Sequence, residues 1–252
     1  IDSVTGVVTV AGAIDREAAA SYDIVVRATS TDTSFTTQTF TVAISDLNEF
    51  SVTAPSDADA ANNAVDENSA IGTTVGLTAN ATDNDATTNS VTYSLVDSDS
   101  GNFAIDSNTG LVTVNAALDR ETLGANRSIT VRATSVDGST NDAVFTISIN
   151  DVDEFDVTVP VDTDATVNAV DENSVIGTTV GIIASASDVD ATTNGVTYSL
   201  VDSDSGNFAI DGTTGIVTVN AALNRETLGA TRSITVRATS ADGSTSDTVF
   251  TV

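Results

Sequence analysis

The sequence contains no cysteine, histidine, lysine, methionine or tryptophan, and only three tyrosines. Without cysteine there is no disulfide, thiolate nucleophile or soft-metal site, and without histidine the usual general base and transition-metal ligand are missing. The scarcity of aromatic residues argues against a sugar-stacking surface. Every apolar run falls short of the roughly 20 residues that a membrane helix needs, so membrane insertion is not expected. These absences leave carboxylates as the main source of chemistry.

Carboxylates dominate the charge of the chain. Its 36 acidic residues face eight cationic residues, all arginine, and the formal net charge is −28. Such a surface repels nucleic acid and anionic lipid, so neither is expected as a partner. Hydrophobic residues make up 40% of the chain, which is too many for a solvated acidic tail and enough for small packed cores.

The acidic motifs recur at an interval of about 105 residues, so that the Asp-Glu-Asn motif at 66–68 returns at 171–173. Residues 89–146 and 194–251 are nearly identical, which indicates a recent tandem duplication. The chain opens in the middle of this pattern, and we expect it to be an internal part of something longer. The interval predicts a C-terminal part of a repeat at 1–49, a complete repeat at 50–154 and a nearly complete repeat at 155–252.

Each repeat has the pattern of an all-β protein. Alternating, β-branched runs such as 91–95, 111–114 and 144–149 are separated by short turns of Asp, Ser, Gly and Asn, without a sustained helical period. About seven strands in each repeat favour two-sheet β-sandwich modules arranged end to end. Five phenylalanines at equivalent positions are expected in the cores: Phe40, Phe103, Phe145, Phe208 and Phe250.

Two smaller groups of polar residues have simple interpretations. Residues 55–59 and 160–164, which each begin with proline, are expected to be solvated turns. Arg27, Arg132 and Arg237 alternate with core residues on equivalent strands, which predicts pairing with acids across the strand rather than recognition of an anionic ligand.

Strand direction predicts where the acids meet. If successive strands reverse, motifs after the first, fifth and seventh strands share one end of a sandwich, and motifs after the second and sixth strands lie at the other end. Modules stacked end to end then bring acids of consecutive repeats together. The second joint, at linker 151–154, is expected to gather Glu67, Asp119, Glu121, Asp151, Asp153, Glu154, Asp188 and Asp190. The first joint, at linker 46–49, is expected to use Asp15, Glu17, Asp46, Asn48, Glu49, Asp83, Asp85 and Asn89.

So many like charges within roughly a Debye length would repel one another strongly if nothing neutralised them. Sites made only of oxygen and rich in carboxylates favour a large, hard cation with flexible geometry, so Ca²⁺ fits better than Mg²⁺ or Zn²⁺. Acids that merely keep the surface soluble are the alternative, and their fixed position in every repeat argues against it.

The ordered set of motifs resembles the tandem cadherin-like repeats of bacteria. The resemblance rests on Glu67-Asn68, on Asp83-x-Asp85 with the following Asn89, and on the D-R-E triplet at 119–121, with their copies in the other repeats. Each motif alone is weak, but the ordered set repeats and covers the whole chain. It implies immunoglobulin-like, Greek-key sandwiches that hold up to three Ca²⁺ at each joint.

The resemblance also implies which residues bind the ions. Ser135 and Ser240 replace an Asp that the family places after its sixth strand, so two ions per joint are expected rather than three. Asn224 replaces the Asp of D-R-E and is expected to weaken the site beyond the last repeat, which would use Glu172 and Glu226. By position, Glu67, Asp119, Glu121, Asp151 and Glu154 would hold two ions with Asp190 as a bridge, and Asp153, Asp188 and Asp190 would hold a third with the carbonyls of Phe155 and Asn194.

The predicted function is a calcium-rigidified extracellular spacer in a large bacterial cell-surface or secreted adhesin. The alternative is that the repeats themselves adhere, through self-association, assembly into an extracellular filament, or polysaccharide binding. Paired acids such as Asp83 and Asp85 could imitate a glycosidase pair, but that chemistry needs a cleft and usually aromatic subsites. No enzymatic activity is expected.

Overall fold

A computed structural model describes every residue, Ile1–Val252. The chain forms two compact units. The first comprises residues 1–65, 69–118 and 126–148, and the second comprises residues 66–68, 119–125 and 149–252. None of the helices is long or apolar enough to cross a membrane.

Ten strands and one short helix precede the linker at residue 151. They are β1 (Ser21–Thr29), β2 (Phe35–Ala43), β3 (Ser56–Asp57), β4 (Ala64–Asp66), β5 (Thr74–Asn80), β6 (Val91–Asp97), β7 (Phe103–Ile105), β8 (Leu111–Val114), α1 (Arg120–Leu123), β9 (Asn126–Ser135) and β10 (Thr140–Asn150). The same order returns as β11 (Val161–Asp162), β12 (Thr179–Ser185), β13 (Thr197–Asp202), β14 (Phe208–Ile210), β15 (Ile216–Val219), α2 (Arg225–Leu228), β16 (Ser233–Thr239) and β17 (Thr245–Thr251).

The sheets have the strand order of a sandwich. One sheet has the order β4-β10-β9-β6 and another has the order β3-β5-β8-β7, while β1 and β2 form a separate pair. The later copies have the orders β11-β12-β15-β14 and β13-β16-β17. Antiparallel neighbours such as β5 and β8 are not consecutive in the chain, which is the Greek-key arrangement. The predicted all-β sandwich is therefore confirmed.

The cores follow the predicted alternation of side chains. On β9, Ile129, Val131 and Ala133 are fully buried, and the residues between them are only partly so. Val112 and Val114 contribute to the same core from β8. An equivalent core in the second unit is built around Val180, Ile182, Phe208, Val217, Ile234 and Val236.

A glycine permits the close approach of β8 to β5. Gly110 has a φ of 73°, which favours glycine, and a Cβ at this position would overlap the carbonyl oxygen of Ala79. Gly215 has the same relationship to Ala184 in the second unit. The Thr-Gly turns before β8 and β15 are therefore required by packing.

The phenylalanine prediction holds except at the first position. Phe103, Phe208 and Phe250 are buried, and Phe145 is partly buried. Phe40, in contrast, is 51% exposed. The difference arises because β1 and β2 form only a two-stranded sheet, whereas the other four residues lie in sheets of three or four strands.

The stretches 55–59 and 160–164 are not simply solvated turns, so that prediction was wrong. Ser56 and Asp57 pair with Asn80 and Ala79 at the edge of a sheet, and β11 repeats the pairing with β12. The Asp57 Oδ1 atom also accepts a hydrogen bond of 3.2 Å from the Thr78 N–H. A two-residue strand is too short to show alternation in a sequence.

Cross-strand pairing is confirmed for two of the three arginines. Arg132 donates two hydrogen bonds of 2.7 Å to Asp142, and Arg237 binds Asp247 in the same way at 2.8 Å. Arg27 faces Thr37 in the register, and its guanidinium lies 5.3 Å from the centroid of the Phe35 ring. The first copy therefore has a cation–π contact where the others have an ion pair.

Candidate metal centres

Acids gather in two places, and each group lies within one compact unit. Most acids of the first group have a counterpart in the second group 105 residues further along the chain. We define the first acidic cluster as Glu17, Asp46, Glu49, Asp83, Asp85 and Asp137. We define the second acidic cluster as Glu67, Glu121, Asp151, Asp153, Glu154, Asp188, Asp190 and Asp242.

Asp151 follows the end of β10 and binds the loop after β12 through one of its two oxygens. The Oδ2 atom accepts hydrogen bonds from the N–H of Thr192, at 2.8 Å, and from its hydroxyl. The Oδ1 atom is buried without a hydrogen bond, and the Arg120 Nε atom lies 4.0 Å away from it. Asp46 repeats this arrangement with Thr87. One oxygen thus fixes the carboxylate while the other is available to a cation.

Glu67 is 2% exposed and connects three segments of the second unit. Its Oε2 atom accepts a hydrogen bond of 2.6 Å from the Arg120 N–H, and its Oε1 atom accepts one of 2.9 Å from the Val152 N–H. Asn68 has a φ of 55°, a conformation that asparagine tolerates better than most residues, and its amide donates to Glu154. The Glu-Asn motif therefore combines a buried carboxylate with a turn.

Asp190 has no exposed surface. Its Oδ1 atom accepts a hydrogen bond of 3.1 Å from the Glu154 N–H, and its Oδ2 atom has no hydrogen-bond partner. Asp85, which is 1% exposed, occupies the same place in the first cluster and accepts the Glu49 N–H at 3.0 Å. Its Oδ2 atom also has no partner.

Three groups of predicted ligands bring carboxylate oxygens within 4.8 Å of one another. In the second cluster, Glu121 belongs to two of them, and its Oε1 atom accepts a hydrogen bond of 2.8 Å from the Ala191 N–H. Sharing Glu121 places the two groups side by side. The groups are Glu67–Glu121–Asp151, Glu121–Glu154–Asp190 and, in the first cluster, Glu17–Glu49–Asp85.

Two further groups contain residues that the sequence analysis missed. Asp137 joins Asp83 and Asp85, and Asp242 joins Asp153 and Asp190, again within 4.8 Å. Asp137 and Asp242 are 105 residues apart and lie in the turns after β9 and β16. Their constant position in the repeat is a signal that could have identified them.

Several predicted ligands lie outside these groups. Asp119 is the N-cap of α1, where its oxygens accept hydrogen bonds from the N–H and hydroxyl of Thr122, at 2.9 and 3.1 Å. Asp15 likewise accepts the N–H groups of Glu17 and Ala18. Asn224 is the N-cap of α2, since asparagine accepts the same bond.

The remaining predicted ligands have structural contacts of their own. Asn89 and Asn194 donate hydrogen bonds of 2.8 Å to the carbonyls of Asp85 and Asp190. Asp188 accepts a hydrogen bond of 3.3 Å from the Asp190 N–H through Oδ1, and its buried Oδ2 atom has no partner. Glu172 is exposed and accepts the Arg225 N–H at 3.0 Å, while Glu226 is also exposed and belongs to no group. The amide of Asn48 donates to Asp137 at 3.0 Å.

Burial and neighbouring groups shift the pKa values of several acids in the clusters. Burial raises the pKa of Glu154, and the charges of Glu67 and Glu121 raise it further. Burial is also the main cause that raises the pKa of Glu121, and that of Glu49 in the first cluster. The pKa of Asp151 is lowered instead, mainly by the hydrogen bond from the Thr192 hydroxyl.

The oxygen atoms fit a hard divalent cation. Seven buried side-chain polar atoms have no hydrogen-bond partner, and six of them are carboxylate oxygens of the clusters. Buried polar atoms are normally satisfied, so this concentration points to an electrostatic partner. The donors are all oxygens and mostly carboxylates, which suits Ca²⁺. The six are the matched pairs Asp46 and Asp151, Asp83 and Asp188, and Asp85 and Asp190.

Residues 62–150 and 166–252 each match the cadherin domain family. The chain belongs to this family. Cadherin repeats are extracellular adhesion domains that bind Ca²⁺ between neighbouring repeats, and neither the family nor the fold is enzymatic. The expectation that the chain is not an enzyme is therefore confirmed by its membership.

The cadherin relatives include long animal proteins. The protocadherin-like wing polarity protein stan of Drosophila melanogaster is 32% identical over 245 residues, which cover 88% of this chain and 6% of that protein. Protocadherin Fat 4 of Mus musculus is 33% identical over 233 residues, or 90% of this chain and 4% of that protein. This cadherin chain thus spans a small fraction of their length.

Solved cadherin structures agree with the fold. Mouse cadherin-23 EC22-24 superimposes with a TM-score of 0.70 at 27% identity, covering 95% of this chain and 76% of that chain. The protocadherin gamma B2 extracellular cadherin domains 1-5 superimpose with a TM-score of 0.76 at 20% identity, covering 94% and 46%. The cadherin-like architecture predicted from the motifs is confirmed.

Proposed function

We propose that this cadherin chain is a calcium-rigidified extracellular spacer in a large bacterial cell-surface or secreted adhesin. Its modules would be residues 1–49, 50–154 and 155–252. The observation that carries the proposal is the set of six buried carboxylate oxygens without hydrogen bonds, at matched positions in two clusters. Such oxygens are costly unless a cation compensates them.

Two ions account for the principal groups of the second cluster, and one ion accounts for the matching group of the first. In the second cluster, one ion would be held by Glu67, Glu121 and Asp151, and its neighbour by Glu121, Glu154 and Asp190. Calcium would neutralise these carboxylates and fix the linker against the loops that they contact. In the first cluster, Glu17, Glu49 and Asp85 form the matching group, with the available Oδ1 atom of Asp46 as a further ligand.

The spacer assignment rests on the repetition of the chain as well as on its acids. Residues 89–146 and 194–251 are nearly identical, which suits a segment whose function is to extend the protein over a distance. The bacterial assignment rests on the resemblance of the ordered motifs to bacterial cadherin-like repeats. An adhesive role for the repeats themselves would instead require contacts between chains.

Chelation tests this proposal directly. The melting temperature and small-angle scattering of the full chain are measured in EDTA, in Ca²⁺, and in Mg²⁺ at the same ionic strength. We expect calcium to raise the melting temperature and to narrow the distribution of interatomic distances. An unchanged melting temperature and scattering profile would contradict the proposal. A calcium-dependent rise in mass by light scattering would favour self-association instead.

A further inference from the structure

The chain contains a single Asn-Gly pair, Asn194-Gly195, in the loop that precedes β13. The corresponding pair in the preceding repeat is Asn89-Ser90, in the loop before β6. An asparagine before glycine is prone to lose its side-chain amide, because glycine has no side chain that keeps its backbone nitrogen away from the asparagine carbonyl carbon. The two loops therefore differ at the position that controls this reaction.

Up to the asparagine, the two loops are held in the same way. The Asn194 side chain donates a hydrogen bond of 2.8 Å to the Asp190 carbonyl, and Asn89 donates one of the same length to Asp85. The threonines before the two asparagines have φ angles of 53° and 54°. Their carbonyls accept hydrogen bonds of 3.0 and 2.9 Å from buried serines near the ends of β16 and β9. Asn89 is therefore a matched internal control for Asn194.

After the asparagine, only the first loop is tied into a sheet. β6 begins at Val91, and the Ser90 carbonyl directly before it accepts a hydrogen bond of 3.0 Å from the Val136 N–H. β13 begins one position later in its repeat, at Thr197. Gly195 is exposed, belongs to no strand, and its N–H has no hydrogen-bond partner within the chain. The glycine nitrogen is therefore free to approach the asparagine side chain.

We propose that Asn194 is a site of spontaneous deamidation, and that Asn89 is retained because Ser90 and strand pairing hinder the same reaction there. The Gly195 nitrogen attacks the side-chain carbonyl carbon of Asn194. A C–N bond forms, the bond to the amide nitrogen breaks, and that nitrogen leaves as ammonia with the proton of the Gly195 N–H. Water then opens the cyclic imide at either carbonyl, which yields aspartate or isoaspartate.

The products alter the loop that carries two acids of the second cluster. Both products lose the amide that donates to the Asp190 carbonyl and gain a carboxylate beside it. Isoaspartate also adds a methylene to the main chain, four residues after the fully buried Asp190. A new negative charge so close to a buried one is unfavourable. The second cluster, unlike the first, therefore changes irreversibly with the age of the chain.

Peptide mapping by mass spectrometry tests the proposal on the full chain, incubated in EDTA below its melting temperature. An isoaspartate-specific carboxyl methyltransferase identifies the rearranged product. We expect Asn194 to react at least about tenfold faster than Asn89, which corresponds to a barrier lower by about 1.4 kcal/mol. A synthetic peptide of residues 190–199, incubated alongside, gives the rate without the fold. Equal rates at the two asparagines would overturn the proposal, as would an intact Asn194 when half of the peptide has reacted.

Exchanging the following residue separates the two causes. Gly195→Ser should slow Asn194 to the rate of Asn89, whereas Ser90→Gly should accelerate Asn89 only in part, because its loop remains tied to the sheet. If Ser90→Gly makes Asn89 as fast as Asn194, strand pairing has no part in the selectivity and that half of the proposal is wrong. Circular dichroism verifies that both variants fold.

The variant Asn194→Asp reproduces one product and tests the structural consequence. It should melt at a lower temperature than the wild type in EDTA, because the amide donor to Asp190 is lost. An unchanged melting temperature would overturn the predicted effect on the loop. These measurements are made without calcium, so their failure would leave the spacer proposal intact, and failure of the spacer proposal would leave them intact.

Discussion

Glu154 donates its N–H to the Oδ1 atom of Asp190 at 3.1 Å, while the Oδ2 atom of the same buried carboxylate has no hydrogen-bond partner. One oxygen therefore holds the linker, and the other is available to a cation. Asp190 also belongs to two acid groups, one with Glu121 and one with Asp242. Its replacement should affect more than one ion.

Asp190→Asn should reduce the calcium-dependent increase in stability. Asparagine keeps an acceptor for the Glu154 N–H but removes the charge, so each lost site should cost about 2.7 kcal/mol at a hundredfold excess of calcium over its dissociation constant. In EDTA the same variant should be slightly more stable than the wild type, because a buried charge has gone. Thermal melts with and without calcium measure both effects.

Asp156→Asn is the matched control for this experiment. Asp156 is exposed and lies outside the acid groups, so its substitution makes the same change in net charge. It should leave the calcium response unchanged. An equal loss in both variants would mean that net charge, rather than the cluster, determines the response.

The calcium-free protein should lose stability as the pH rises toward neutrality. Burial and neighbouring charges raise the folded-state pKa of Glu154 and of Asp153, so the folded protein binds more protons than the unfolded chain above the ordinary carboxyl range. Asp151 acts oppositely, because its lowered pKa contributes stability that is lost as the pH falls through the folded value. Stability in EDTA should therefore be greatest near pH 5, roughly one unit above the ordinary carboxyl pKa.

Saturating calcium should reverse the pH dependence of stability above about pH 5. Deprotonated carboxylates bind the ion, so the calcium-bound protein should gain stability from about pH 5 to pH 7. Melting curves at constant ionic strength over this range measure the two profiles. Parallel profiles with and without calcium would contradict the assignment of these acids as ligands.

Gly110→Ala should be strongly destabilising. An added Cβ would overlap the Ala79 carbonyl oxygen, and the φ of 73° is unfavourable for alanine, so we expect a loss of about 3 kcal/mol or more. Gly6→Ala is the control, since Gly6 has a φ of 72° and the same turn hydrogen bond as Gly110, but nothing lies close to the position of its added Cβ. That variant should lose only about 1 kcal/mol. Urea denaturation compares the two, and equal losses would refute the packing argument.

Ion pairs should contribute unequally according to their exposure. Arg127 donates to Asp99, whose side chain is 10% exposed, whereas the Asp142 side chain bound by Arg132 is 38% exposed. Asp142→Asn should change stability by less than about 1 kcal/mol, because exposed pairs are screened. Asp99→Asn should cost about 1–3 kcal/mol, and asparagine tolerates the φ of 54° at this position. Chemical denaturation at two salt concentrations would show the stronger salt dependence for Asp142.

The sequence predicted the main strands well because their alternation is local. The run at 111–114, for example, coincides with β8 (Leu111–Val114). The four-residue helices and the edge strand Ser56–Asp57 were not predicted, because such short elements have no measurable period. Phe40 was placed in a core by analogy with its copies, but its burial depends on surrounding strands that the residue itself does not determine.

The candidate site was only partly predictable for a related reason. The alternation of strand direction correctly predicted that Glu121 and Asp190 lie close together. This prediction needs only the order of the strands along the chain. Strand counting places the turn after β16 at the same end as Asp190, but the direction of the Asp242 side chain depends on the local geometry of that turn. Asp119 was expected to act as a ligand, and its contacts show that it is also an N-cap, because capping and metal binding select the same residue types.

The acids of each cluster come from two successive sequence repeats, so the middle repeat carries the second half of the first cluster and the first half of the second. Duplicating or deleting a 105-residue block therefore leaves each new boundary with both halves. A gene of this kind can change its number of repeats by unequal recombination without losing an acidic cluster. Selection on length can then proceed independently of selection on the individual ligands.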